Sequence, residues 1–269
     1  MNDSYQENLQ RIRKFRLIDD EFLTKCFESS PESIELVLRI LLDKSDLKVV
    51  ESHTQVFIEN LLNRSVRFDV LATDSEGRKF NIEIQRATKG AGRKRARYNS
   101  AMMDANLLEK GTDFEALPET YVIFITENDV IGEGEAVYEI ERCFIKTGKC
   151  FNDGTHILYV NGAYRDDSAI GKLMQDFACD DPSKMHYEVL AERTKFFKET
   201  KEGVLIMSQV MEDLVRQARQ EGVAEGEVKG RMNTAKLMLS DGSVSFEKIA
   251  RFTGLSLQDV QNLAAKGSI

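Results

Sequence analysis

Asp69, Glu83 and Gln85 are the residues in this chain whose types and spacing could do chemistry together. Asp69 lies in a β-rich segment, 66–73, with Val66, Phe68, Val70 and Ala72 on one face. Segment 79–85 alternates more cleanly: Phe80, Ile82 and Ile84 point one way, Asn81, Glu83 and Gln85 the other. Between them, Asp74-Ser75-Glu76-Gly77 is turn material. A hairpin closed about Glu76 sets Asp69 opposite Glu83, with Cβ atoms roughly 5 Å apart. Facing carboxylates repel, and a purely structural hairpin has no use for them. A hard divalent cation such as Mg²⁺ removes the repulsion by taking oxygen from both. The pairing depends on register, because a one-residue slip moves every side chain to the other face. Taken alone, such a pattern is ordinary on a solvated strand; the residues behind it alter that reading.

Those residues form a basic run, 86–97, holding Arg86, Lys89, Arg93, Lys94, Arg95 and Arg97 and no acid, in a protein of formal charge −8. The run leads into a helix over 92–110, where Ala101, Ala105 and Leu108 belong to the apolar stripe and Arg93, Arg97 and Ser100 to a more polar side. Guanidinium groups beside a metal site make bidentate contacts to phosphate, so the expected partner is a phosphate backbone. Non-specific affinity comes mostly from phosphate neutralisation, and here a local patch must supply it against an acidic whole. The expected binding is therefore weak and strongly salt-dependent.

Other elements must hold this hairpin and helix in place. Segment 121–126 is a continuous apolar run, suited to a central strand covered on both faces. Upstream, 30–47 has a helical pattern (Ile34, Leu36, Val37, Ile40, Leu41), and 54–58 reads as the first strand. The order α, β, β, β, α, β implies a mixed sheet with a right-handed crossover. Further strands are expected at 137–140 and 156–161, and further helices at 166–177 and 187–197, covering the sheet without chemistry of their own.

With these residues in order, the chain resembles the PD-(D/E)XK nuclease superfamily, and within it the bacterial recombination-promoting nucleases described as transposases. The resemblance rests on Asp69, on Asn81-Ile82-Glu83-Ile84-Gln85, and on Arg95 with Tyr98 and Ser100. It continues through Leu107-Leu108-Glu109-Lys110-Gly111, Tyr121 to Thr126, and the glycine-spaced tail. It implies an α/β fold: a restriction-endonuclease-like core, α-β-β-β-α-β, its mixed sheet flanked by helices, with an α-helical C-terminal extension. It implies metal-dependent cleavage of DNA, with Mg²⁺ or Mn²⁺ as cofactor and a role in recombination or mobile elements. Asp69 and Glu83 would be metal ligands, with Asp20 completing the set and Asp19 as its close competitor. Arg86, Lys89, Arg93, Lys94, Arg95, Arg97 and Tyr98 would contact DNA. Gln85 departs from the superfamily pattern, which has lysine at its position. Glutamine can donate and accept hydrogen bonds but cannot act as cation or base. Lys79, on the same strand face, and Lys89 are the substitutes within reach. An inactive DNA-binding or interaction protein on the same fold is therefore the alternative reading, and whether cleavage needs a homodimer stays open.

Composition fits a soluble cytoplasmic protein. Hydrophobic residues make up 42% of the 269, enough for a core, and no stretch approaches membrane-spanning length. The polar start, Met1-Asn2-Asp3-Ser4, is unlike a signal peptide. Cys26, Cys143, Cys150 and Cys179 lack CxxC spacing and read as free thiols. Cys143, Cys150 and His156 make a poor zinc motif, and His53, His156 and His186 form no recognisable set. Domain boundaries are expected at 1–202 for the nuclease-like part, 203–231 for a helical, Gly- and Glu-rich linker, and 232–269 for a helix-turn-helix-like tail. Gly222, Gly226 and Gly230 mark either a close approach of helices or a weakly ordered linker, and their charged neighbours favour the linker. In the tail, Ser256 caps a last helix whose outward residues Gln258, Asp259, Gln261 and Asn262 carry no cation before Lys266. That face suits protein packing better than DNA reading.

Overall fold

The computed structural model describes residues 3–60, 64–86 and 88–266, with the side chains of 3–5, 88, 89 and 266 left aside. Among the described residues, three helices lead into the sheet: α1 (Asp3–Arg13), α2 (Asp20–Phe27) and α3 (Pro31–Leu42). Then come β1 (Val49–Ile58), β2 (Val66–Asp74), β3 (Lys79–Gln85), α4 (Arg93–Leu107), β4 (Thr120–Thr126), β5 (Val137–Ile140) and β6 (Thr155–Asn161). Helices α5 (Ala169–Ala178), α6 (Glu188–Glu199), α7 (Lys201–Asp241), α8 (Phe246–Thr253) and α9 (Leu257–Lys266) complete the order.

The six strands form one sheet in the order β1-β2-β3-β4-β6-β5. β1, β2 and β3 run antiparallel, the β3–β4 and β4–β6 pairs are parallel, and β5 pairs antiparallel with β6. Parallel neighbours need a crossover, and α4 provides it between β3 and β4. The apolar run of β4 is buried at every residue, as a central strand covered on both faces requires. Val122 and Phe124 of β4 join Phe68, Tyr159 and the buried Ala96, Met102 and Met103 of α4 in one core cluster. The mixed α/β fold with helical C-terminal region is thus the one expected.

The chain divides into two compact units, Met1–Ser208 and Gln209–Ile269. In the second, Ala235, Ile249 and Val260 form a small core with Met238, Leu239 and Leu263 packed on it. Gly254 ends α8 with φ +69°, and the backbone N–H of Asp259 donates to Ser256 Oγ at 3.1 Å, the cap expected for α9. The segment 203–231, expected as a helical linker, lies within α7, which runs through it without a break. Three glycines cost only about 1 kcal/mol each relative to alanine. The remaining residues are mostly good helix formers, with no proline among them. Nothing lies within 4 Å of where a Cβ would sit at Gly222, Gly226 or Gly230, so the close-approach reading fails. Among the described residues, no helix is long and apolar enough to cross a membrane.

Candidate active site

The hairpin sets the first two acids. Thr73 pairs with Lys79, Ala72 with Phe80, Leu71 with Asn81 and Val70 with Ile82, and the ladder stops there. That register turns about Glu76 and, carried one step further, places Asp69 opposite Glu83. There a side chain replaces the backbone ladder, and the Ile84 N–H donates to Asp69 Oδ2 at 3.0 Å. β1 loosens at the same level. Thr54 pairs with Val70 and Val56 with Phe68, but Gln55 between them has φ +53° and is skipped. Its side chain hydrogen-bonds Asp69, and its Nε2 donates to Thr24 Oγ1 on α2 at 3.1 Å. Such irregularities beside a site re-aim side chains; this one ties α2 to the Asp69 strand.

Asp20 opens α2 and is the third acid. Its Oδ1 is buried with no hydrogen-bond partner among the described residues. Burial, then the charges of Asp69 and Glu21, push its pKa up to about 7. Glu83 is 0% exposed, and burial followed by the Asp69 charge raises it to about 8, with Arg95 opposing and Asp20 adding. Asp69 is also raised by burial, against the Ile84 N–H and the Arg95 and Arg67 charges. The three carboxylates therefore share one electrostatic site. Asp19 is used elsewhere: it meets Arg86 Nη1 at 3.1 Å and Arg16 Nη2 at 3.4 Å, and both arginines also reach Glu127. That network fixes the start of α2 and leaves Asp20 for the site.

Arg95 is held inside the site. Its Nη2 donates to Glu83 Oε2 at 2.8 Å, its Nη1 to the Gly90 carbonyl at 3.1 Å, and its guanidinium lies 5.9 Å from the Phe124 ring centre. The side chain keeps 42% exposure, so it reaches both acid and solvent. Gln85 presses on Gly90: a Cβ there would lie 1.7 Å from Gln85 Oε1.

The other expected contacts divide. Arg93, Lys94 and Arg97 are exposed on α4, and no salt bridge among the described residues engages them. Arg86 is paired with Asp19 and Glu127. The Tyr98 hydroxyl donates to the Arg64 carbonyl at 2.5 Å. The Lys89 side chain lies outside the described residues. Lys79 cannot stand in for the missing lysine, since its Nζ donates to Thr73 Oγ1 at 2.8 Å, four residues along the strand from Glu83. Gln55, Arg67 and Gly90 were not marked by the sequence; counting strand register back from Asp69 into β1 would have pointed to Gln55.

The donor set suits a hard cation, being all carboxylate oxygen; Asp20 Oδ1 and Glu83 Oε1 have no hydrogen-bond partner of good geometry among the described residues, although Asn81 lies near enough to favour the charged form of Glu83. The three acids do not draw their oxygens to within 4.8 Å of one another, as Glu139, Glu141 and His156 do. Like charges stand apart when only Arg95 and Arg67 offset them.

A mixed sheet whose antiparallel hairpin opens onto buried Asp and Glu, backed by a crossover helix with an inward arginine, defines a nuclease-type core. Residues 34–163, just under half of the chain, match the family model described as PD-(D/E)XK nuclease family transposase. The match supports a nuclease related to mobile elements. The match takes in Asp69, Glu83, Gln85 and α4, while Asp20 lies before it. Neither a curated protein nor a solved structure matches the chain.

Proposed function

We propose that this protein is a divalent-metal-dependent DNA endonuclease acting in recombination or mobile-element processing. The observation that carries the reading is the convergence of Asp20, Asp69 and Glu83 in one buried site with oxygens left unpaired. These three would hold Mg²⁺ or Mn²⁺. When bound, the cation offsets their charge, polarises the scissile phosphate and acidifies a water.

The chain's own groups do the rest. Asp69 is kept in its ionised geometry by the Ile84 N–H. Arg95 is held at Glu83 and half-exposed, so a cation taking over Glu83 frees its guanidinium for a phosphate oxygen. Gln85 orients a water by donating and accepting hydrogen bonds but takes no proton. The first turn of α4 carries Arg93, Lys94 and Arg95 and no acid. Cations there oppose the helix dipole, an arrangement that an anion such as a DNA phosphate reconciles. One observation favours the second reading, a protein that binds DNA with little turnover: Gln85 stands where the superfamily has its lysine.

The deciding experiment is plasmid nicking with Mg²⁺ or Mn²⁺ by wild type, Asp69→Ala and Glu83→Ala; equal rates in all three would remove the nuclease reading. Two further results are expected. Replacing Arg93, Lys94 and Arg97 together by Gln weakens DNA binding at low salt, and lowers the slope of log K against log salt by about 0.9 per lost phosphate contact. An unchanged slope would place the DNA elsewhere. Gly90→Ala displaces Gln85 and slows nicking between about ten- and a hundredfold, the range of a small misplacement in a site. A flexible side chain gives way there, so the melting temperature should hold; a large drop in it would show that Gly90 serves the fold instead.

A further inference from the structure

At the other edge of the sheet, the β5–β6 ladder ends with Ile140 paired to Ile157. One step further, the same register sets Glu141 opposite His156, and Glu139 shares Glu141's face by the two-residue period. Glu139, Glu141 and His156 bring one ligand atom each to within 4.8 Å of the others. His156 Nδ1 lies 3.1 Å from Glu141 Oε1 and 3.6 Å from Glu139 Oε1. Neither nitrogen of this ring has a hydrogen-bond partner among the described residues, although both are buried. The oxygens are thus close to Nδ1 but off its hydrogen-bonding axis. Two ligands each about 2.1 Å from a tetrahedral zinc stand roughly 3.4 Å apart, which is the spacing seen here. A sulfur stands beside the group rather than in it: the Cys150 thiol interacts with Glu141, outside the three ligand atoms that lie within 4.8 Å of one another. Cys150 is fixed opposite Cys143 by an isolated antiparallel bridge, where Phe144 N–H donates to the Lys149 carbonyl at 2.9 Å and Phe151 N–H to the Arg142 carbonyl at 2.8 Å. The imidazole is held flat by stacking on Tyr121, 4.4 Å between ring centres.

We propose that His156, Glu139 and Glu141, joined by Cys150, form a second metal site, structural and specific for zinc-class ions. Mixed nitrogen, oxygen and sulfur donors select Zn²⁺ over the oxygen-seeking Mg²⁺ and Ca²⁺. Four protein ligands leave no open position for chemistry, and the ion staples the open end of the β5–β6 ladder to the hairpin carrying Cys143 and Cys150. Asp20, Asp69 and Glu83 offer oxygen alone, so the two sites take different metals.

Co²⁺ titration of the full-length, pre-reduced protein tests this by absorption spectroscopy. The expected result is one equivalent of Co²⁺ giving a thiolate-to-cobalt charge-transfer band that Zn²⁺ bleaches and excess Mg²⁺ does not. Cys150→Ser should remove the band, Glu141→Gln should weaken Co²⁺ binding at least tenfold, and Glu83→Ala should leave both unchanged. Cys150 and Glu141 are exposed, so these variants keep the fold. The absence of a band in wild type, its survival in Cys150→Ser, or its loss in Glu83→Ala would each overturn the proposal.

Discussion

Glu83→Ala and Asp69→Ala are each expected to lower Mg²⁺-dependent plasmid nicking by about 10³-fold or more. A metal ion at a phosphoryl centre supplies several kcal/mol of charge stabilisation, and each 1.4 kcal/mol is about tenfold in rate. Removing Glu83 also strands Arg95, which loses its 2.8 Å partner and swings outward. Removing Asp69 strips the acceptor from the Ile84 N–H and lets the opened strand ends drift. Asp20→Ala should cost less, because the other two acids still hold the cation from adjoining strands. Gln85→Lys separates the two readings of the site: raised nicking means that Gln85 attenuates a working centre. A residual rate common to all variants would be a contaminant, recognisable because it does not follow the metal.

The second large effect is on stability without metal. Asp20 is pushed up to about 7 and Glu83 to about 8, both first by burial and then by charged neighbours. Groups whose folded pKa exceeds the unfolded value bind more protons in the fold, so stability is full below the unfolded value and falls as pH rises through the folded one. The metal-free protein should therefore melt at progressively lower temperature between pH about 5 and pH about 8. Glu83→Gln keeps the side-chain shape, removes that charge, and should raise the metal-free melting temperature at pH 8 by a few degrees. A domain of this size shifts roughly 2–4 °C per kcal/mol. Saturating Mg²⁺ should restore the wild type and leave Glu83→Gln nearly unmoved, since only a ligand bound to the fold stabilises it. Differential scanning calorimetry across that range checks both signs. A wild type that is no less stable at pH 8 than at pH 5, and indifferent to Mg²⁺, would mean that these acids are not under charge stress.

Much of this site is legible along the chain because its parts are local. Period-two alternation put Glu83 and Gln85 on one face, and the turn at 74–77 fixed the register that sets Asp69 against Glu83. The all-apolar β4 declared a doubly covered strand, and α4 between β3 and β4 followed from the need for a crossover. Each of these follows from backbone geometry acting within one strand, one hairpin or one crossover. The full length of α7 was not legible because propensity weighs each glycine locally, while a helix is cooperative over its whole length.

What the chain alone could not decide lies in contacts between residues far apart in sequence. It left Asp19 and Asp20 in competition; in the fold Asp19 pairs with Arg86, itself paired with Glu127, while Asp20 Oδ1 has no hydrogen-bond partner among the described residues. It placed Arg95 among the DNA contacts, yet α4 crosses the sheet so that this guanidinium meets Glu83 and Gly90. It weighed His156 only with Cys143 and Cys150, since spacing rules see ligands close in sequence, whereas the sheet edge brings His156 to Glu139 and Glu141. The sequence by itself determined the elements, the Asp69–Glu83 pair and the basic helix, because these depend on local pattern. The tertiary structure decided which charges are buried together, because burial and through-space electrostatics depend on where distant segments meet.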